Sequence, residues 1–354
     1  MPRSYNTHVE NTHADSPASG PVLELVCPAG SLPALKAAVD HGADCVYLGL
    51  RDATNARNFA GLNFDEAAIA NGIRYAHERG CKIFMALNTY PQAQNPAPWR
   101  SAVDKAVAMG VDAVILADPG LMQYAVRHHP QLRLHLSVQG SATNYEAINF
   151  YREQFGIVRA VLPRVLSLEQ VRQVIGKTTV EIEVFGFGSL CVMVEGRCAL
   201  SSYVTGESPN TFGVCSPPKA VRWHETPAGR ESRLNGVLID RYAPGESAGY
   251  PTLCKGRFDV GEDENYYAIE EPTSLNTLEL LPQLSRMGVR AIKIEGRQRS
   301  PAYVAQVTQV WREAIDQCLA NPHRYAPRTT WMASLDQVAE GQQHTLGAYH
   351  RPWK

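Results

Sequence analysis

Residues 23–50 read LELVCPAGSLPALKAAVDHGADCVYLGL. The apolar run Leu23–Cys27 has the length and composition of a buried strand. Ser31 stands where a helix N-cap belongs, and Gly42 where that helix would end. A second apolar run, Cys45–Leu50, follows at once. Strand, helix, strand in so short a span is the parallel crossover unit, since two parallel strands need a connection long enough to return to the same end of the sheet.

The unit repeats along the chain. Further strand-like runs are Lys82–Leu87, Ala113–Ala117, Arg133–Val138, Val158–Leu162, Val180–Phe185 and Ala291–Glu295. Helical stretches lie between them. Asn63 with Glu66, Thr143 with Glu146 and Ser167 with Gln170 have capping-box spacing, and Asp118-Pro119 and Ser300-Pro301 place a capping side chain before a first-turn proline. Residues 99–109 and 273–287 also read as helices. Eight strands alternating with helices predict an α/β fold, a (β/α)8 TIM-like barrel with a cysteine-rich insertion after strand seven. An open, doubly wound sheet is the alternative. The barrel is expected over residues 23–319, the insertion over 188–262, and an irregular C-terminal extension over 320–354.

Composition bounds the function. The chain has 354 residues, 44% apolar and 19% charged, as in a soluble globular protein. A net charge of −1 supplies no strong field for nucleic acid or an anionic membrane, so no nucleic-acid partner is expected. Eight cysteines are too few for a disulfide scaffold. Residues 1–22 are polar and read as a disordered tail rather than a signal peptide. No run is long and apolar enough to span a membrane. A reducing cytoplasm suits this composition best.

Four cysteines stand apart: Cys191, Cys198, Cys215 and Cys254, spaced C-x6-C-x16-C-x38-C. Each has a glycine within three residues: Gly188, Gly196, Gly213 and Gly256. Four thiols with no histidine among them point to a soft metal centre, iron–sulfur or zinc. Structural zinc usually draws on close cysteine pairs, which are absent here, and single cysteines at wide spacing favour a cubane cluster. Four inert buried thiols are the alternative. Cys27, Cys45 and Cys81, in or beside strands, and Cys318 on the last helix read as packing residues.

In a barrel the strand C-termini form the active face. The residues placed there are Cys27, Arg57, Asn88, Asp118, Gln139, Arg164, Glu295 and Arg297. Three arginines on one rim suggest an anionic ligand, which a guanidinium binds through paired hydrogen bonds. The competing reading is that Asp118 and Asn63 only cap helices, and that the arginines pair with Asp52, Asp118 or Glu295. No phosphate loop, HExxH or GxSxG motif occurs. His128-His129, at a helix end, reads as surface. No catalytic residue is singled out.

The segments EVFGFGSLCVMVEGRCALSS (Glu183–Ser202), TGESPNTFGVCSP, YPTLCKGR and IKIEGRQRSPAYV resemble the collagenase-like peptidase family of unclassified catalytic type, from about residue 23 to the end. The family motif commonly carries a histidine in an FxHG context, and Phe187 stands at that place. That departure suits the family's ubiquinone-biosynthesis branch rather than peptidase chemistry. The resemblance implies a [4Fe–4S] cluster on Cys191, Cys198, Cys215 and Cys254. It also implies a heterodimer with a UbiV-like protein and oxygen-independent hydroxylation of a ubiquinone precursor, with prephenate as oxygen donor. RNA-base hydroxylases and peptidases of the family are the alternatives. Arg57, Asn88, Gln139, Arg164 and Arg297 are the candidates for holding the donor.

Overall fold

The computed structural model describes residues 23–351, so the expected N-terminal tail lies outside the described residues. Seven strands come first: β1 (Glu24–Pro28), β2 (Cys45–Leu48), β3 (Lys82–Leu87), β4 (Ala113–Leu116), β5 (Leu134–Leu136), β6 (Arg159–Val161) and β7 (Glu181–Ser189). Helices α1 (Leu32–Asp40), α2 (Glu66–His77), α3 (Ala97–Met109), α4 (Pro119–His128), α5 (Tyr145–Phe155) and α6 (Leu168–Ile175) alternate with them. Short helices α7 (Leu200–Thr205) and α8 (Pro209–Phe212) open the insertion. Two small antiparallel sheets follow, the first of β8 (Val221–Thr226), β9 (Gly229–Leu234) and β10 (Val237–Tyr242), the second of β11 (Arg257–Val260) and β12 (Asp263–Tyr267). The chain then forms β13 (Ser274–Asn276), α9 (Leu281–Met287), β14 (Ala291–Ile294), α10 (Pro301–Ala320), α11 (Thr329–Asp336) and β15 (His344–Thr345).

The parallel sheet closes. β14 pairs with β1 (Leu25↔Ile292) on one side and with β7 (Ile292↔Val184) on the other, giving an eight-stranded barrel and ruling out the open sheet. The strands read as unbroken apolar runs because helices cover the outside while the strands enclose the inside. Leu25, Leu48, Met85 and Leu116 face the helical layer in one large core. Val26, Tyr47, Phe84 and Ile115 make a smaller cluster of their own.

Charge is also buried among the strands. Arg159 bonds Glu24 at 2.5 Å and Glu181 at 2.6 Å, and lies 3.5 Å from Glu183, which in turn accepts from Lys293 at 2.7 Å. Each of these ions carries its counter-charge with it, as buried charge requires.

Four departures from the sequence reading have local causes. Asp65, not Asn63, caps α2 by accepting from Ala68 N at 2.9 Å, while Asn63 sits at φ 68° and donates to the Arg57 carbonyl. Asn144, not Thr143, caps α5. Residues 273–287 are not one helix: β13 pairs antiparallel with an extended β7 that runs on to Ser189, and only Leu281–Met287 is α-helical. The segment from 320 onward, expected irregular, includes α11 and the parallel pairing of β15 with β13.

Candidate functional site

The mouth of the barrel is built on the strand C-termini and the loops after them. The insertion leaves at Ser189, the end of β7, and returns at Ser274, its register partner on β13. It lies over the mouth because three of its segments are tied to the rim.

The first tie holds the segment of Cys191 and Cys198. Arg164, after β6, donates through Nε to Glu195 Oε1 at 2.7 Å and through Nη1 to the Ser189 carbonyl. Both members of this ion pair are buried, with side chains 6% and 4% exposed. Ser141 Oγ donates to the Glu195 carbonyl at 2.6 Å. Gly196, at φ +89°, is pressed so closely on the Gln139 carbonyl that a Cβ would overlap it. Gln139 thus supports the segment through its backbone, and its side-chain oxygen is buried without a hydrogen-bond partner.

The second tie holds the segment of Cys215. Arg297, 5% exposed, donates through Nη1 to Asn55 Oδ1 at 2.9 Å and through Nη2 to the Ala56 carbonyl. Asn88 Oδ1 accepts from Ala56 N at 2.9 Å. The loop so fixed carries Arg57, whose N–H donates to the Gly213 carbonyl at 2.7 Å. Gly213, at φ +85°, packs on this loop, where a Cβ would lie 2.7 Å from the Asn55 carbonyl oxygen. Burial pulls the Arg297 guanidinium down to about 10, and the Arg57 charge adds to that.

The third tie reaches Cys254. Lys255 pairs with Glu340, which also accepts from Ser189 Oγ. Sequence reasoning missed Glu340, which falls in the segment expected to be irregular, and Glu195, which lies between two of the cysteines. The E in CVMVEGRC was the available signal.

The five rim residues expected to hold an anion therefore differ in what they have to offer. Arg164, Asn88 and Arg297 bond protein groups, and Gln139 backs Gly196. The Arg57 guanidinium has a single ion pair among the described residues, Nε to Glu295 Oε1 at 3.6 Å, and keeps a quarter of its side-chain surface exposed. Burial works to lower its pKa, but the Glu295 carboxylate and the thiols of Cys215 and Cys191 outweigh it. Asp118 caps α4 by accepting from Leu121 N at 2.7 Å, the structural alternative foreseen for it.

The four thiols act on one another electrostatically. Burial pushes Cys191 up to about 12, and the charges of Glu195 and Cys215 raise it further against the pull of Arg164. Cys215 is raised by burial and by Cys198, and eased by Arg57, Arg164 and Lys255. Cys254 is pushed to about 11 by burial, with Cys215 and Cys198 adding to it and Lys255 opposing. Positive charge from Arg164, Arg57 and Lys255 thus works against the effect of burial at Cys191, Cys215 and Cys254. Among the described residues, however, no three His, Cys, Asp or Glu side chains converge tightly enough to hold a single metal ion. Cys27, Cys45, Cys81 and Cys318 are buried away from this group, as packing residues are. Nor is any helix among the described residues long and apolar enough to cross a membrane.

A family model described as peptidase family U32 matches residues 30–352. The chain is 33% identical over 341 residues to a tRNA hydroxylation protein P of Escherichia coli, covering 91% of this chain and 72% of that protein. It is 31% identical over 316 residues to a tRNA hydroxylation protein P1 of Bacillus subtilis, covering 89% and 68%. A 23S rRNA 5-hydroxycytidine C2501 synthase of Escherichia coli is 28% identical over 345 residues, which span 93% of this chain but only 47% of the synthase.

Proposed function

Because this chain belongs to peptidase family U32, we propose that it is a hydroxylase of that family, the iron–sulfur subunit of an oxygen-independent hydroxylase acting on the ubiquinone ring. The observation that carries the reading is that the segments bearing Cys191 and Cys198, Cys215 and Cys254 are each tied down at the barrel mouth, through Arg164–Glu195, Arg57–Gly213 and Lys255–Glu340, with all four cysteines partly buried and free of disulfides. Four single cysteines at wide spacing with no histidine among them suit a cubane cluster better than zinc. Cys191, Cys198, Cys215 and Cys254 would hold a [4Fe–4S] cluster. Such a cluster supplies one-electron chemistry when bound.

The residues around it have separate tasks in this reading. Arg164, Glu195, Asn55, Asn88 and Arg297 keep the thiol segments in place. Arg57 is the rim arginine whose side chain keeps a quarter of its surface exposed, and in this reading it would face an anionic oxygen donor, with prephenate as the candidate. The ubiquinone substrate and a UbiV-like partner rest on the resemblance to UbiU-type members. Phe187 supports that assignment. Where the family motif commonly has histidine, this chain buries an apolar ring against Tyr303 and His344.

A second reading, an RNA-base hydroxylase, is favoured by what the relatives are named for. A net charge of −1 opposes it, because phosphate contacts draw on an excess of lysine and arginine. One experiment decides both matters. The chain is purified without oxygen together with the partner, and cells lacking its gene are grown without oxygen. About four iron and four sulfide per chain are expected, with loss of hydroxylated quinone intermediates and unchanged hydroxylated nucleosides in tRNA and rRNA. Zinc in place of iron would remove the cluster. Loss of a hydroxylated nucleoside with normal quinones would hand the function to RNA.

A further inference from the structure

The C-terminal segment converges on the thiol site through one carboxylate. Glu340 binds Lys255 Nζ, accepts from Ser189 Oγ, and lies 3.6 Å from Arg299 Nη2. Its own N–H donates to Ser274 Oγ at 2.9 Å. Gly341 follows at φ +60° and brings the backbone hard against the Pro272 carbonyl. Glu340 therefore joins the end of β7, the start of β13, the loop after β14 and the residue beside Cys254. Tyr349, farther along the same segment, packs on Val161, Phe185 and Leu275 and feels the charges of Arg164 and Glu195.

The turn that carries Cys254 is anchored by Leu253, packed on Val221, Leu234 and Ile239, and by Gly256 against the Ile239 carbonyl, while Lys255 is its one side-chain tie to Glu340. It is one short 3-10 turn, Leu253–Lys255, with no side-chain cap. Its backbone also bonds through Lys255 N to Thr252 O at 3.0 Å and through the Cys254 carbonyl, which accepts from Glu270 N at 3.2 Å. The Lys255 side chain is only 11% exposed. A shielded ammonium without its counter-charge is costly and turns toward water, which releases the turn from the C-terminal segment.

We propose that Glu340 is a positioning residue for Cys254: by fixing Lys255 it sets where the fourth thiol points, so the C-terminal segment completes the thiol site. This rests on the thiol-site reading above, but it can be tested without iron.

In the iron-free full chain, the alkylation rate of each cysteine is followed by peptide mass spectrometry. Glu340→Gln keeps the size and removes the charge, and Lys255→Met removes the partner. Glu340→Gln is expected to raise the Cys254 rate several-fold and leave Cys191 unchanged, and Lys255→Met to raise it less, because the lost ammonium also lowers the Cys254 thiolate fraction. Glu340→Asp, which retains the charge, should fall between Glu340→Gln and the parent. Circular dichroism monitors the fold, and if Glu340→Gln unfolds, the Glu340→Asp and Lys255→Met arms decide. In iron-loaded protein the same variants should change the paramagnetic resonance spectrum of the reduced centre. An unchanged Cys254 rate in folded variants overturns the proposal. A parent protein that takes up no iron would count against the cluster, while the alkylation rates would still judge Glu340.

Discussion

Arg164 and Glu195 illustrate what a single residue can and cannot disclose in sequence. The arginine was legible as a rim residue, because it follows a strand end. Its partner was not, because Glu195 reaches it from a loop whose path depends on the whole insertion. The pair is shut off from water on both sides, so removing one member leaves the other charge uncompensated. Arg164→Met should therefore destabilise the chain by about 3–5 kcal/mol in urea unfolding. The double variant Arg164→Met with Glu195→Gln should recover most of that loss. Equal losses in the single and double variants would show that packing of the alkyl chain, not charge, governs the site. The same lesson covers Arg297 and Asn88, whose polar atoms fix a loop and could not be told from ligand-binding atoms by position alone.

The secondary-structure elements were read well where local chemistry is decisive. Each barrel strand is a short apolar run closed by a polar or glycine-bearing turn, and Ser167 with Gln170 caps α6 with both bonds of the capping box. The reading slipped where two neighbouring residues could both serve as caps, as at Asn144 beside Thr143. It slipped again at 273–287, where the leucines of SLNTLELLPQL mimic a helical stripe although β7 captures the first three residues as a strand. Two of the glycines beside the cysteines, Gly196 and Gly213, owe their place to close backbone approach. Gly196→Ala forces a Cβ into a positive-φ backbone and into the Gln139 carbonyl. The barrel should still fold, but the 190–200 segment should become readily cleaved by protease. If the four cysteines hold the proposed cluster, iron retained per chain should fall as well. Protease resistance equal to the parent would mean that the segment is held from elsewhere.

At the scale of the whole molecule, the alternation of eight strands and the place of the insertion were visible, and the charged groups among the strands were not. A barrel strand starting in glutamate or arginine looks like a strand boundary until closure brings Glu24, Arg159, Glu181 and Glu183 together. These charges make stability depend on pH. Burial, and then the positive charge of Arg159, hold His135 neutral, well below its ordinary value near 6.5. The unfolded chain takes up that proton as pH falls and the folded chain does not. The contribution is therefore complete above the unfolded value and declines below it, by at most about 1.4 kcal/mol per pH unit. Glu24 adds a second decline below the ordinary carboxyl range, because Arg159 and Lys82 outweigh the effect of burial and hold it low. The urea midpoint should accordingly drop between pH 7 and pH 5.5, and His135→Gln should flatten that drop whatever it does to stability at pH 7. A parallel drop in the variant would assign the slope to other groups.

The pairing of Ser189 with Ser274 has a consequence for how such a molecule can change over time. The chain departs from the barrel and rejoins it at two residues already side by side, so everything between them behaves as a cassette. A cassette may lengthen, shorten or be exchanged without disturbing the strand order of its host. Inheritance can then vary the chemistry over the mouth while the barrel beneath stays the same. The ties at Arg164, Arg297 and Glu340 are the sockets into which any replacement would have to fit.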